Sequence, residues 1–183
     1  MSRPMSFRSL VAACSVALAA VSAGVPVPQA QAAANQSVTL GPSGLPLPRF
    51  VSLKSGRVNS RVGPGVTYAV DWMYLKAGLP MEIIQEFDNW RKVRDSDGSE
   101  GWVNQSLLSG KRTAMMAPWK QGQTVPLFDA PGKAGALVAQ VSAGVVADVS
   151  NCTGDWCEIT AGGYDGWVEQ TQLWGVYPGE AVD

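Results

Sequence analysis

Glu86-Phe87-Asp88-Asn89-Trp90 and Cys152-Thr153-Gly154-Asp155-Trp156 stand 66 residues apart, and each runs through a turn-forming triplet into a tryptophan. Around them other landmarks recur at nearly the same interval. Gly101-Trp102-Val103 returns as Gly166-Trp167-Val168, Leu108 as Leu173, Gly78 as Gly144 and Pro64 as Pro131. A near-constant offset over several landmarks marks an internal duplication. The unit is about 60 residues long, a size that can just sustain its own core.

Within each unit the pattern is that of short strands. Gly and Pro interrupt the chain too often for long helices. Runs rich in Val, Ile, Trp and Tyr are bounded by turn signals: Gly63-Pro64-Gly65, Lys76-Ala77-Gly78, Phe87-Asp88-Asn89 and Asp95-Ser96-Asp97-Gly98 in the first unit. The second has Ala130-Pro131-Gly132, Ser142-Ala143-Gly144, Thr153-Gly154-Asp155 and Ala161-Gly162-Gly163. An all-β chain of two small barrels follows, with the first domain over 47–114 and the second over 119–178. In Gly101-Trp102-Val103 and its repeat, Val fills the core and Gly permits close approach of a neighbouring strand.

The N-terminus reads as an export signal. Residues 1–32 carry Arg3 and Arg8 without an acid, then an apolar stretch from Leu10 to Val25, two prolines, and Ala30-Gln31-Ala32. That is the order of a cleaved secretory signal. Val11-Ala12-Ala13-Cys14 superficially matches a lipidation box, but the apolar run continues past Cys14 and lipidation sites close such a run. No later stretch is long and apolar enough to span a membrane. Residues 33–46, rich in small residues, Gly and Pro, are expected to be a flexible lead-in.

The order Val58-Asn59-Ser60-Arg61-Val62-Gly63-Pro64, then Gly78, Trp90-Arg91-Lys92-Val93 and Gly101-Trp102-Val103 resembles the bacterial SH3 domain. The second unit keeps Pro131, Gly144, Trp156-Cys157-Glu158-Ile159 and Gly166-Trp167-Val168, with Val125-Pro126-Leu127-Phe128 where Asn and Arg are expected. The resemblance implies two tandem SH3-like β-barrels in the cell envelope, periplasmic or secreted. It implies a binding role rather than catalysis. The expected partner is a cell-wall peptide, a glycan strand or an envelope protein. The alternative is a structural or assembly role without a small ligand.

Residue chemistry points the same way. The chain has no histidine, which removes Ser-His and Cys-His nucleophile pairs and every His-containing metal site. No cofactor is expected. Asp95-Ser96-Asp97-Gly98 contains part of a calcium-loop signature, but Val93 stands where the first ligand belongs, so a polar hairpin turn is the simpler expectation. Residues 47–114 hold ten Lys/Arg against seven Asp/Glu, and residues 119–183 two against eight. Neither half is basic enough for nucleic acid, although the split suggests that the halves attract each other. All seven tryptophans lie beyond the signal. Alternation puts Val93 and Ile159 in the core and Trp90 and Trp156 on the opposite face. Trp90 and Trp156, with Tyr68, Trp72 and Tyr74 near Trp90, are candidate ligand contacts. The other possibility is that these rings plug barrel ends or the junction between units.

Cys152 and Cys157 flank a hairpin-sized loop, and the exported setting favours a disulfide. Strand parity sets Cys152 in step with Asp148 and Cys157 with Ile159, so a bulge is required to bring the sulfurs together. The 66-residue offset places Glu86 and Arg91 at the same two positions of the first unit. They are expected to form an exposed ion pair worth at most about 1 kcal/mol. Intact-mass analysis of the envelope fraction should find a mature chain starting at or near Ala33; full-length chain in the cytosol would contradict export.

Overall fold

The structure is a computed structural model and describes residues 39–132 and 134–182. The signal peptide expected over 1–32, and the start of the lead-in, lie outside the described residues. The first seven-stranded sheet contains β3 (Arg49–Leu53), β4 (Val58–Arg61), β5 (Val70–Tyr74), β6 (Pro80–Phe87), β7 (Trp90–Arg94), β8 (Glu100–Asn104) and β9 (Leu108–Ser109). It is preceded by a small hairpin of β1 (Thr39–Leu40) and β2 (Pro46–Leu47). The second sheet contains β10 (Thr113–Met116), β11 (Thr124–Phe128), β12 (Leu137–Ser142), β13 (Val146–Thr153), β14 (Trp156–Ala161), β15 (Tyr164–Glu169) and β16 (Leu173–Trp174). A single 3₁₀ turn precedes β9 and another precedes β16.

Strand order is β5-β4-β8-β7-β6-β3-β9 in the first sheet and β12-β11-β15-β14-β13-β10-β16 in the second. The two orders correspond position for position, so the duplicated sequence is a duplicated barrel. Each wraps its own core. Val58, Ile83, Val93 and Val103 are buried in the first, and Val125, Ile159 and Val168 in the second. A Cβ on Gly101 would strike the Ser60 hydroxyl, and one on Gly166 would lie 2.6 Å from the Phe128 carbonyl oxygen. Glycine is therefore what lets β8 cross β4, and β15 cross β11, at this distance.

Two boundaries differ from the expectation. Thr113–Met116 pairs with β13 and β16, so the second sheet begins before residue 119 and takes residues on both sides of 114. The repeated landmarks start only at Pro64 and Pro131, and the first strand of each barrel carries none of them. At the other end, Val182 accepts a backbone hydrogen bond of 2.9 Å from Cys152, beyond the expected limit at 178. Residues 39–46 are an ordered hairpin rather than a flexible lead-in, because Ser43 donates to the Glu86 carboxylate from both its N–H (2.9 Å) and its hydroxyl (2.8 Å).

The hairpin closures of the two barrels show the same geometry with different chemistry. In the second barrel Cys152 faces Cys157 across β13 and β14, and they form a disulfide with their Cα atoms 4.1 Å apart. The register shifts between Val149 and Asn151, which is the bulge that strand parity requires. In the first barrel the register shifts between Ile83 and Gln85, and Glu86 faces Arg91. Their ion pair (Arg91 Nε to Glu86 Oε1, 3.2 Å) is buried, with the Glu86 side chain only 1% exposed. This corrects the expected surface pair. Arg49 arrives from β3 with Nη2 at 2.7 Å from the same carboxylate, and the hairpin covers it from outside.

Rings join the two barrels. The Phe50 ring lies 4.7 Å from Tyr177 and 5.2 Å edge-on from Trp174. The Tyr177 hydroxyl donates to Glu82 (3.0 Å) and the Thr113 hydroxyl to the Gly78 carbonyl (2.8 Å). The ion pairs nearby run from the connecting residues Lys111 and Arg112 to Asp148 and Glu180. Among the described residues, aromatic packing, with charge pairing confined to the connector, stands in place of the expected attraction between a positive and a negative half.

Burial alone would raise the Glu86 pKa, but the Ser43 N–H, Arg49, the Ser43 hydroxyl and Arg91 outweigh it and lower it from 4.5 to about 2. A folded-state value below the unfolded one stabilises fully above pH 4.5, and the gain fades as pH falls toward 2. The difference corresponds to roughly 3 kcal/mol. Urea unfolding of the native protein and Glu86→Gln should show their largest stability gap near neutral pH, shrinking from pH 4.5 to 2. A pH-independent gap would contradict it.

Candidate binding grooves

The outward face of β4 carries Arg57, at its edge, then Asn59 and Arg61 at alternate positions, as the two-residue period of a strand dictates. Trp90 opens β7 and faces Asn104 at the end of β8. Together with Val66 and Leu107 these residues line a groove of about 360 Å³. Its base is the 3₁₀ turn Gln105–Leu107, held by the Asn104 side chain accepting from the Ser106 N–H (3.1 Å) and by Gln105 bonding to Asn89 (2.8 Å). Trp90 is set by the turn beside it, where the Arg91 guanidinium donates to the carbonyls of Asp88 (2.8 Å) and Trp90 (2.9 Å).

The groove offers donors that the protein itself leaves without an acid. Among the described residues neither Arg57 nor Arg61 is in an ion pair. The Arg61 guanidinium donates to the Tyr68 carbonyl at 2.6 Å, which fixes the loop between β4 and β5. The Asn59 Oδ1 atom is buried without a partner among the described residues. Two guanidinium groups beside an indole suit a carboxylate attached to an apolar body.

The equivalent groove of the second barrel, about 380 Å³, is lined by Thr124, Pro126, Phe128, Trp156, Glu169 and Gln172 among others. Trp156 is kept at the place of Trp90. Arg57 becomes Thr124, Asn59 becomes Pro126, Arg61 becomes Phe128 and Asn104 becomes Glu169. The Phe128 and Trp156 rings pack edge to face at 5.9 Å. The strand wall that is cationic in the first groove is thus apolar in the second, whose charged residues are Glu169 at the 3₁₀ turn and Lys120, donating from Nζ to Gln172 Oε1 at 2.7 Å.

The five expected contact residues do not form one site. Trp90 and Trp156 occupy equivalent grooves of different barrels. Trp72 and Tyr74 line a separate concavity with Asp95, where the Tyr74 hydroxyl donates to the Asp95 carboxylate at 3.0 Å. Tyr74 is buried rather than exposed. The Tyr68 ring lies on Gly63, where a Cβ would strike it, and lines none of these cavities. Aromatic identity does not separate the two concavities; the sequence signal that marks the groove is alternation along β4, which puts Arg57, Asn59 and Arg61 on one face, with Asn104 opposite Trp90.

The Asp95 turn is a hairpin turn, as expected. Asp95 Oδ1 accepts from the Asp97 N–H (3.0 Å) and the Ser99 N–H (2.9 Å), and Gly98 takes φ +84°. Among the described residues no helix is long and apolar enough to cross a membrane, and no group of three or more His, Cys, Asp or Glu side chains could hold a metal ion.

Comparison with known proteins places these barrels. No curated protein matches the chain. Similar solved structures include NlpC2 from Trichomonas vaginalis, at 14% identity and TM-score 0.31, over 69% of this chain and 48% of that one. NlpC1 from the same organism has the same identity and TM-score, over 69% and 45%. An NlpC/P60 family protein from Bacillus cereus has 9% identity and TM-score 0.31, over 68% and 55%. The chain spans about half the length of the solved structures it matches. The family described as the bacterial SH3 domain matches residues 54–110 and 121–175. Those two segments run through β4–β9 and β11–β16, and the chain belongs to the bacterial SH3 domain family, in two tandem copies.

Proposed function

We propose that the protein is an exported, non-enzymatic binding module, and that the first barrel holds a carboxylate-bearing peptide of the cell wall in the groove at Trp90. The observation that carries this reading is the pair Arg57 and Arg61, both without a carboxylate among the described residues and both on the face of Trp90. A peptide carboxylate would take charge-assisted hydrogen bonds from one or both guanidinium groups while its apolar neighbour lies on the indole. A glycan without acidic groups would leave both cations unused. The disulfide supports placement in an oxidising compartment such as the periplasm.

A role in envelope assembly draws support from the second groove, where Pro126, Phe128 and Trp156 suit an apolar stretch of a partner protein. Pelleting with purified cell-wall sacculi separates the two readings. The native protein should pellet, and less so at high salt because cation–carboxylate contacts are screened. Arg57→Gln and Trp90→Ala should each weaken retention about tenfold or more, as loss of a central interface residue does, while Trp156→Ala should retain it. A native protein that stays in the supernatant would overturn the wall-binding reading. Loss on Trp156→Ala alone would move the site to the second barrel.

A further inference from the structure

A third concavity, about 280 Å³, lies away from both grooves and takes its lining from both sheets. Trp72, Tyr74, Met81, Asp95 and Asp97 come from the first barrel and Met115 from β10 of the second. The Ser96 hydroxyl and the Met115 thioether meet at 3.6 Å across this seam. Met115 thus closes one side of a concavity otherwise built from the first barrel.

We propose that this seam is a second binding site, specific for an alkylammonium side chain such as that of lysine. Three features give it that chemistry. The Trp72 indole is 62% exposed and is part of the lining, so a ring face is open to a cation. Met115, half-buried, supplies polarizable apolar surface for a methylene stem, with the buried Met81 behind it. Asp95 and Asp97 supply negative charge, and among the described residues neither is in an ion pair. The neighbouring Arg94 does not neutralise them, because Glu82 (3.1 Å) and Glu100 (2.9 Å) hold it. Asp95 already accepts two backbone N–H groups and the Tyr74 hydroxyl, so it is fixed in place. Asp97 makes no side-chain hydrogen bond with a described residue and is free to meet the ammonium group. The local potential is felt by Tyr74, whose phenol is pushed well above its usual pKa by burial and then by Asp95, Asp97 and Asp71.

A cation held in the seam would be bound by a site unlike the groove at Trp90, which is lined by cations itself. A peptide carrying both a carboxylate and a lysine-like amine could engage the two sites on the same molecule.

The test uses the mature protein, isotope-labelled, titrated with Nα-acetyl-lysine N-methylamide and separately with its norleucine counterpart, which keeps the stem and lacks the ammonium group. The lysine probe should shift the Trp72 indole N–H and the amides of residues 96–99 saturably, and the norleucine probe should not. Asp97→Asn should weaken the lysine response about fivefold, as loss of one exposed charge contact does. Trp72→Ala should remove it while the amides around Val58 and Val93 stay in place. The proposal is overturned by equal shifts with both probes, by no saturable shift with lysine at tens of millimolar, or by an undiminished response in Asp97→Asn. The readout at Trp72 is independent of Trp90, so this proposal and the groove proposal fail separately.

Discussion

A carboxylate closed off from water must be paired, and the architecture around Glu86 follows from that constraint. A buried charge left alone is strongly destabilising. Glu86 collects Arg91 from the adjacent strand, Arg49 from the first strand and Ser43 from the hairpin ahead of the barrel. Three segments distant in sequence are thereby fixed at one end of the β6–β7 hairpin, the end that carries Trp90. At the same two positions the second barrel has a disulfide, which is covalent and apolar and requires no compensating charge. What lies over it is correspondingly different: the backbone of Val182 pairs with Cys152, and Gln170 beneath donates to the Glu180 carbonyl at 2.9 Å. Each barrel thus anchors a neighbouring segment at the same place by unrelated chemistry.

Duplication followed by divergence explains the distribution of likeness and difference. Several interior positions stay alike, as Val58 and Val125, Val93 and Ile159, or Val103 and Val168 do, because close packing limits change in volume. Met81 against Ala147 and Glu86–Arg91 against Cys152–Cys157 show where the interior has changed. The two glycines at the strand crossings are kept for want of space. Positions facing outward in the groove carry no such limit, and there Arg57, Asn59 and Arg61 stand against Thr124, Pro126 and Phe128. Trp90 and Trp156 are shared although they face outward, and each lines a groove. The fold thus supplies one platform twice, with Arg57 and Arg61 on the strand wall of one copy and Pro126 and Phe128 on that of the other, where Lys120 and Glu169 supply one charge of each sign.

Local pattern carried most of the barrel architecture. The interval of 65 to 67 residues between landmarks made the strand equivalences legible, and parity around Cys152 and Cys157 required the bulge that the register shows. The pairing of Glu86 with Arg91 followed from the same interval. Its burial did not, because the groups that cover it come from residue 43 and residue 49, and no periodicity links those to residue 86. The starts of β3 and β10 were hidden for a related reason: those strands are held by long-range pairing and bear no repeated signature. The candidate site was legible only in part. Alternation put Trp90 and Trp156 outside, but Trp72 and Tyr74 pair with Ser60 and Val58 on the inward side of β4 and so turn toward the other concavity.

The central claim is that two equivalent grooves differ in charge, so that a peptide carboxylate enters the first and not the second. Indole N–H signals of the seven tryptophans, followed during titration with Nα-acetyl-alanyl-alanine, test it most directly. The account predicts a saturable shift of Trp90 with Trp156 unmoved, and loss of that shift when the terminal carboxylate is replaced by its amide. Equal movement of Trp90 and Trp156, or an undiminished Trp90 shift with the amide, would contradict it.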